Sequence, residues 1–122
     1  MPWQVLFQVD FLEEFYAFDL EVQDEIAAIT QLLAAAGPAL KRPFADTLKG
    51  SKFANMKELR FDASGGVWRL AYAFDPERHA ILLVAGDKSG GSAKRFYNSL
   101  IAKADARFAM HITHVKKRSS KS

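Results

Sequence analysis

Cysteine is absent from the 122 residues, which excludes disulfides and thiolate metal sites and fits a reducing compartment. No apolar run approaches the roughly 20 residues that a membrane span needs. No signal peptide is expected either, since Asp10, Glu13 and Glu14 arrive too early for a basic flank followed by an apolar core. A cytoplasmic protein without a membrane partner is therefore expected. Residues 1–40 hold seven acids and no Lys or Arg, whereas all 17 cations and only seven acids lie in residues 41–122. A basic pole on a small domain is the usual electrostatic footprint of nucleic-acid binding. No spaced His/Asp/Glu cluster suggests a metal, and no cofactor is expected. His79 falls in a turn, and His111 and His114 fall toward the end of the last helix, so all three read as surface residues.

What is present suits one soluble domain: 49% apolar and 25% charged residues are ordinary proportions. The chain is organised around a hairpin, Met56–Phe61 and Val67–Tyr72, in which apolar side chains alternate with others. Leu59 and Phe61 share one face of the first arm, and Glu58 and Arg60 share the other. Trp68, Leu70, Tyr72 and Phe74 form the apolar face of the second arm, opposite Arg69. A two-residue turn at Ser64-Gly65 places Arg60 directly across from Arg69. Like charges in register repel, so an anion is expected between them, with phosphate the leading candidate.

Elsewhere, Trp3–Val9 alternates as a first strand, and Asp10 is the candidate cap of a helix carrying Phe11, Leu12, Phe15 and Phe18. Asp19 caps a second helix with Val22, Ile26, Ile29 and Leu33 at helical spacing, stopped by Gly37-Pro38. Residues 38–55 read as a basic loop with Lys41, Arg42, Lys49 and Lys52. Asp75–Arg78 is a turn, Ala80–Ala85 an interior strand, and Lys88 stands at that strand's exit. Ser92 caps a final helix through about Met110, with Tyr97 beside its inner stripe. These elements predict an α+β fold: a four-stranded, antiparallel-rich sheet in the order β-α-α-β-β-β-α. Two N-terminal helices pack on one face, and the first strand lies parallel to the last. Residues 1–112 form the domain, and 113–122 read as a basic disordered tail.

That order, with Lys49 in Leu-Lys-Gly, Lys57-Glu58-Leu59-Arg60 and Trp68-Arg69-Leu70-Ala71-Tyr72, resembles the RelE/ParE toxin superfamily. The segments Met56–Arg60, Ala73–Pro76 and Gly86–Lys88 resemble its phage Gp49-like, HigB-type branch. The resemblance spans roughly residues 3–110. It implies a RelE-like fold and a type II toxin: a metal-independent endoribonuclease, an mRNA interferase that acts on mRNA in the ribosome. It also implies restraint by a HigA-like antitoxin with a helix-turn-helix domain. By the same resemblance Arg60, Arg69 and Lys88 are the catalytic cations, and Lys49, Lys52, Lys57 and Tyr97 are candidates for RNA contact. Alternation points Lys57 toward the core face.

The chemistry fits the residue types. Attack of a ribose 2′-OH on the adjacent phosphate needs alignment, charge stabilisation and proton transfer. Arginine forks grip phosphate oxygens in a fixed plane, and cations near developing negative charge lower the barrier. The sequence offers no obvious general base. Two other readings stay open at this point, a non-catalytic ParE-like inhibitor of DNA gyrase and a plain nucleic-acid-binding module.

Overall fold

The computed structural model describes residues 2–120, with side chains through Arg118. Among them, the elements run β1 (Gln4–Phe7), α1 (Val9–Ala17), α2 (Leu20–Ala36), β2 (Ala45–Thr47), β3 (Lys57–Ala63), β4 (Gly66–Phe74), β5 (His79–Asp87) and α3 (Ala93–Ser120). One sheet has the strand order β1-β5-β4-β3-β2, with β1 parallel to β5 and the remaining pairs antiparallel.

The sheet is buried on both faces. On one, Phe11, Val22, Ile26, Ile29 and Leu33 of the helical hairpin pack on Leu59, Leu70, Tyr72 and Leu82. On the other, Leu100, Ala104 and Phe108 of α3 pack on Ala71, Ala73, Ile81 and Leu83. Each large apolar side chain taken fully out of water contributes about 1.5–3 kcal/mol. The interior strand β5, buried from Ala80 to Val84, is apolar on both sides for this reason.

The hairpin matches the sequence reading. Arg60 pairs with Arg69, and Ser64 and Gly65 turn the chain with positive φ of 49° and 75°. Ser64 lacks glycine's freedom there. The acidic start of α2 compensates: Asp19 accepts from the Ser64 hydroxyl at 3.0 Å, and Glu21 accepts from its backbone N–H. Asp19 also caps α2, accepting from the Val22 N–H. Gly37 ends α2 at φ 57°, and an added Cβ there would lie 2.2 Å from the Trp3 indole nitrogen.

Three expectations need correction. Gln8, not Asp10, caps α1: its side-chain oxygen accepts from the N–H groups of Asp10 and Phe11 at 3.0 and 3.1 Å. The reason is that the first strand ends at Phe7 and the helix starts at Val9, which leaves Asp10 in the first turn. The sheet has five strands rather than four, because Ala45–Thr47 in the supposed loop pairs with Leu59–Lys57. Three residues are too few to show an alternation.

The last helix does not stop near Met110, nor does a disordered tail begin at 113; α3 continues to Ser120. Its extra turns are held by tertiary contacts, with Val115 buried, His111 on Asp75 and Arg118 on Glu77. Residues 121–122, also assigned to the tail, lie outside the described residues. Glu14 makes a two-pronged pair with Arg107 of α3 at 2.6 and 2.8 Å. Arg107 also donates to the carbonyl of Leu83, at 2.8 Å. A register shift in the β4–β5 ladder leaves Leu83 without a partner on β4.

Candidate functional site

Alternation along β3 and β4 puts Glu58, Arg60 and Arg69 on the α3 side of the sheet, since Leu59, Phe61 and Leu70 belong to the opposite core. The α3 helix covers the Ala71–Ala73 part of that side. Toward Arg60 and Arg69 the sheet stays open, as a cleft of about 460 Å³ lined by Arg42, Phe44, Arg60, Asp62 and Arg69. A second cleft of about 440 Å³ adjoins it through Arg42 and is lined by Asp46, Lys49, Glu58 and Tyr97.

Glu58 is the hub. Only 4% exposed, it accepts from the Tyr97 hydroxyl at 2.9 Å. Its second oxygen lies 3.5 Å from an Arg60 nitrogen, and its first lies 3.9 Å from Arg69 Nε. Asp46 stands 3.8 Å from Arg60 and binds Arg42 through two nitrogens at 2.6 and 2.9 Å. The anion expected between the two arginines is thus supplied largely from within, by Glu58 and Asp46.

The arginines differ in exposure. Arg60 keeps 30% of its side chain in solvent, whereas Arg69 is buried, donates to the Trp68 carbonyl at 2.8 Å and makes no hydrogen bond through its Nε. Tyr97 has its pKa raised by burial, by the hydrogen bond to Glu58 and by that carboxylate's charge, with Arg69 opposing. Its phenol therefore stays protonated at neutral pH and serves as a donor. Arg42 bonded to Asp46 and the Thr47 N–H lower the pKa of Asp46. The carboxylate of Asp87, beside Lys88, is likewise lowered by the hydroxyl and N–H of Ser89 and by the Val67 N–H.

Of the residues singled out from sequence, Arg60, Arg69 and Tyr97 converge on Glu58. Lys88 joins them at one remove, its Nζ 6.0 Å from the centre of the Tyr97 ring. Lys49 lines the cleft shared with Glu58 and Tyr97. Lys57 does not join: it has the parity of Leu59 and faces the helical hairpin. Lys52 lines neither cleft, although its N–H is anchored on Asp105 of α3 at 2.9 Å. The histidines stand apart from this site.

Sequence reasoning missed Glu58 as the centre. The signal was available, since Glu58 shares a face with Arg60 two residues away. The partner that gives it meaning, Tyr97, is 39 residues further along and reaches it only through the packing of α3.

Residues 13–109 match the family of phage-derived Gp49-like proteins. The chain is 42% identical over 95 residues to the candidate toxin HigB2 of Mycobacterium tuberculosis (strain ATCC 25618 / H37Rv), an alignment covering 77% of this chain and 47% of that protein. It therefore spans about half the length of that relative. To the candidate toxin HigB3 of the same organism it is 43% identical over 93 residues, covering 76% of this chain and 79% of the relative. The structure of Escherichia coli toxin RelE, a double arginine-to-alanine mutant in the free state, superposes with a TM-score of 0.61 at 15% identity. It covers 84% of this chain and 97% of that one, and at this identity it speaks for the fold alone. The resemblance carried by the motifs holds: the chain belongs to the phage-derived Gp49-like family, the HigB-type branch of the RelE-like fold.

Proposed function

We propose that the protein is the toxin of a type II toxin–antitoxin module and cleaves mRNA on the ribosome, in the cytoplasm. The observation that carries this reading is the convergence of Arg60, Arg69 and the Tyr97 hydroxyl on the Glu58 carboxylate, beside two open clefts. The carboxylate offsets the repulsion between the two arginines, and beside an open cleft the same group can take the proton that must leave the nucleophile in phosphoryl transfer.

In the reaction proposed, Glu58 takes the proton of the ribose 2′-OH. The O2′–P bond forms, the P–O5′ bond breaks, and the products are a 2′,3′-cyclic phosphate and a 5′-OH. Arg60, with Arg42 at the cleft mouth, grips the non-bridging oxygens through charge-assisted hydrogen bonds. Arg69, behind Glu58, adds fixed positive potential where negative charge develops. Lys88, across the Tyr97 ring, donates to the departing O5′, and Tyr97 fixes the Glu58 carboxylate by its hydrogen bond. Lys49 and Lys52 contribute along the RNA strand. The guanidinium groups supply the electrostatic stabilisation, so the scheme needs no metal. The partner that restrains the toxin is a HigA-like antitoxin that neutralises the basic clefts.

Mapping transcript 5′ ends after induced expression tests the reading. New 5′-OH ends within translated regions are expected. DNA breaks at topoisomerase sites without new mRNA ends would replace it with poisoning of gyrase.

A further inference from the structure

Far from the arginine clefts, at the start of β5, the chain gathers a second polar group that phosphate cleavage leaves unused. The nine residues from His79 to Asp87 put it about 27 Å from Lys88. Asp75, Glu77 and His79 of the β4–β5 turn offer three ligand atoms that all lie within 4.8 Å of one another. His111 of α3 is hydrogen-bonded to the first of them, with Nε2 2.7 Å from Asp75 Oδ2.

The Asp75 side chain is fully buried, and its Oδ1 already accepts from the N–H groups of Glu77 and His79 at 2.9 and 2.8 Å. Those bonds fix the carboxylate so that Oδ2 faces two imidazoles. His79 Nδ1 lies 3.4 Å from that oxygen, is out of contact with solvent and makes no hydrogen bond. Buried polar atoms are rarely left in that condition. Atoms ligating one tetrahedral ion at about 2.0–2.2 Å stand about 3.3 Å apart, close to the separation found between Asp75 and His79.

We propose that Asp75, Glu77 and His79 form a binding site for a zinc-class divalent ion, with His111 of α3 orienting the Asp75 carboxylate through its hydrogen bond. An imidazole among the donors suits zinc, nickel or cobalt. Calcium requires six to eight oxygen ligands, more than this turn supplies. Arg118 engages Glu77 Oε1 at 2.9 Å and offsets part of the carboxylate charge, which disfavours hard cations further. An open cleft of about 380 Å³, lined by Trp3, Gln4, Glu77, Arg78 and His79, provides the way in. A bound ion would brace the β4–β5 connection and, through the Asp75–His111 hydrogen bond, the C-terminal part of α3. The proposal runs against the expectation that no His/Asp/Glu cluster suits a metal, although Asp75, Glu77 and His79 stand at alternate positions within five residues.

The test uses the untagged full-length chain, stripped with a chelator and titrated with Zn²⁺ by calorimetry and with Co²⁺ by visible absorption. One ion per chain and a tetrahedral cobalt spectrum are expected. Free Zn²⁺ about 100-fold above Kd should raise Tm by roughly 10 °C. His79→Ala and Glu77→Gln should each weaken binding at least about 10-fold, and His111→Gln by about 10- to 100-fold. Should a variant fail to fold, the wild-type protein decides by NMR: sub-stoichiometric Co²⁺ should perturb the imidazole resonances of His79 and His111 before those of His114. No saturable binding, unchanged affinity in folded His79→Ala, or perturbation of His114 alone would overturn the proposal.

Discussion

Glu58 settles a conflict that the hairpin register creates. Arg60 and Arg69 face each other across β3 and β4, and without a counter-charge their repulsion would weaken the pairing. A carboxylate at 3.5–3.9 Å from each supplies a gross attraction on the order of 4 kcal/mol per pair before desolvation. The same carboxylate is the proton acceptor of the proposed reaction. Glu58→Gln, close in shape but unable to take the proton, should lower ribosomal mRNA cleavage by about 100-fold or more. Tyr97→Phe, losing a hydrogen bond worth about 0.5–1.5 kcal/mol, should lower it by only about 2- to 10-fold. Single-turnover cleavage rates measure both. A Tyr97→Phe loss equal to that of Glu58→Gln would make the phenol, rather than the carboxylate, the main proton-transfer group.

Glu14 carries a pH prediction at the same scale. Its pKa is lowered chiefly by the hydrogen bond from Arg107, against a burial effect that raises it. A depressed carboxylate stabilises the fold above its ordinary value of 4.5 and loses that contribution as pH falls through the lowered value. Urea unfolding across the acid range should therefore show a steeper fall for the wild type than for Glu14→Gln. Equal slopes would mean that the Arg107 pair adds nothing.

At the scale of elements, legibility followed local periodicity. The hairpin, the Ser64-Gly65 turn, the Asp19 cap and the Gly37 stop all rest on residues within a few positions of one another. The parallel union of β1 and β5 followed from element order and the apolar composition of Ala80–Val84. Strand β2 was illegible because three residues carry no period and its pairing with β3 is tertiary. The far end of α3 was illegible for a related reason. Lys116, Lys117 and Arg118 read as solvated, while Val115 and His111 show their value only against their partners on the rest of the fold.

Two predictions test this level. Truncation after Met110 should lower stability by about 3 kcal/mol or more, from one buried valine and one charge-assisted hydrogen bond. Chemical unfolding reads that loss, and an unchanged midpoint would restore the tail as dispensable. Gly37→Ala should cost about 2 kcal/mol or more. Positive φ opposes any side chain there, and Trp3 occupies the space a methyl group needs.

Over the whole molecule, charge polarity and layer order combine. The cation-free residues 1–40 supply β1 and the helical hairpin, which close one face of the sheet and, through Glu14, reach round to α3. The cationic remainder builds the other face, where α3 stops short of Arg60 and Arg69 and leaves the clefts open. The candidate site was half legible from sequence. Two cations facing each other could be read from strand parity, but not the carboxylate hub or the burial of Arg69. That burial means that Arg69 is not a freely removable surface charge. Arg69→Ala leaves the Trp68 carbonyl without its donor and Glu58 without one counter-charge, and should cost about 1–3 kcal/mol.

The most direct test of the central claim is single-turnover cleavage of mRNA on programmed ribosomes by wild type, Arg60→Ala, Arg69→Ala and Glu58→Gln, each first shown folded by thermal melting. The account predicts that all three variants melt cooperatively, and that Arg60→Ala and Arg69→Ala each lose about 10- to 150-fold in rate, matching one lost charge-assisted contact in the transition state. Glu58→Gln, without the proton acceptor, should lose about 100-fold or more. Folded variants that cut at the wild-type rate would contradict it.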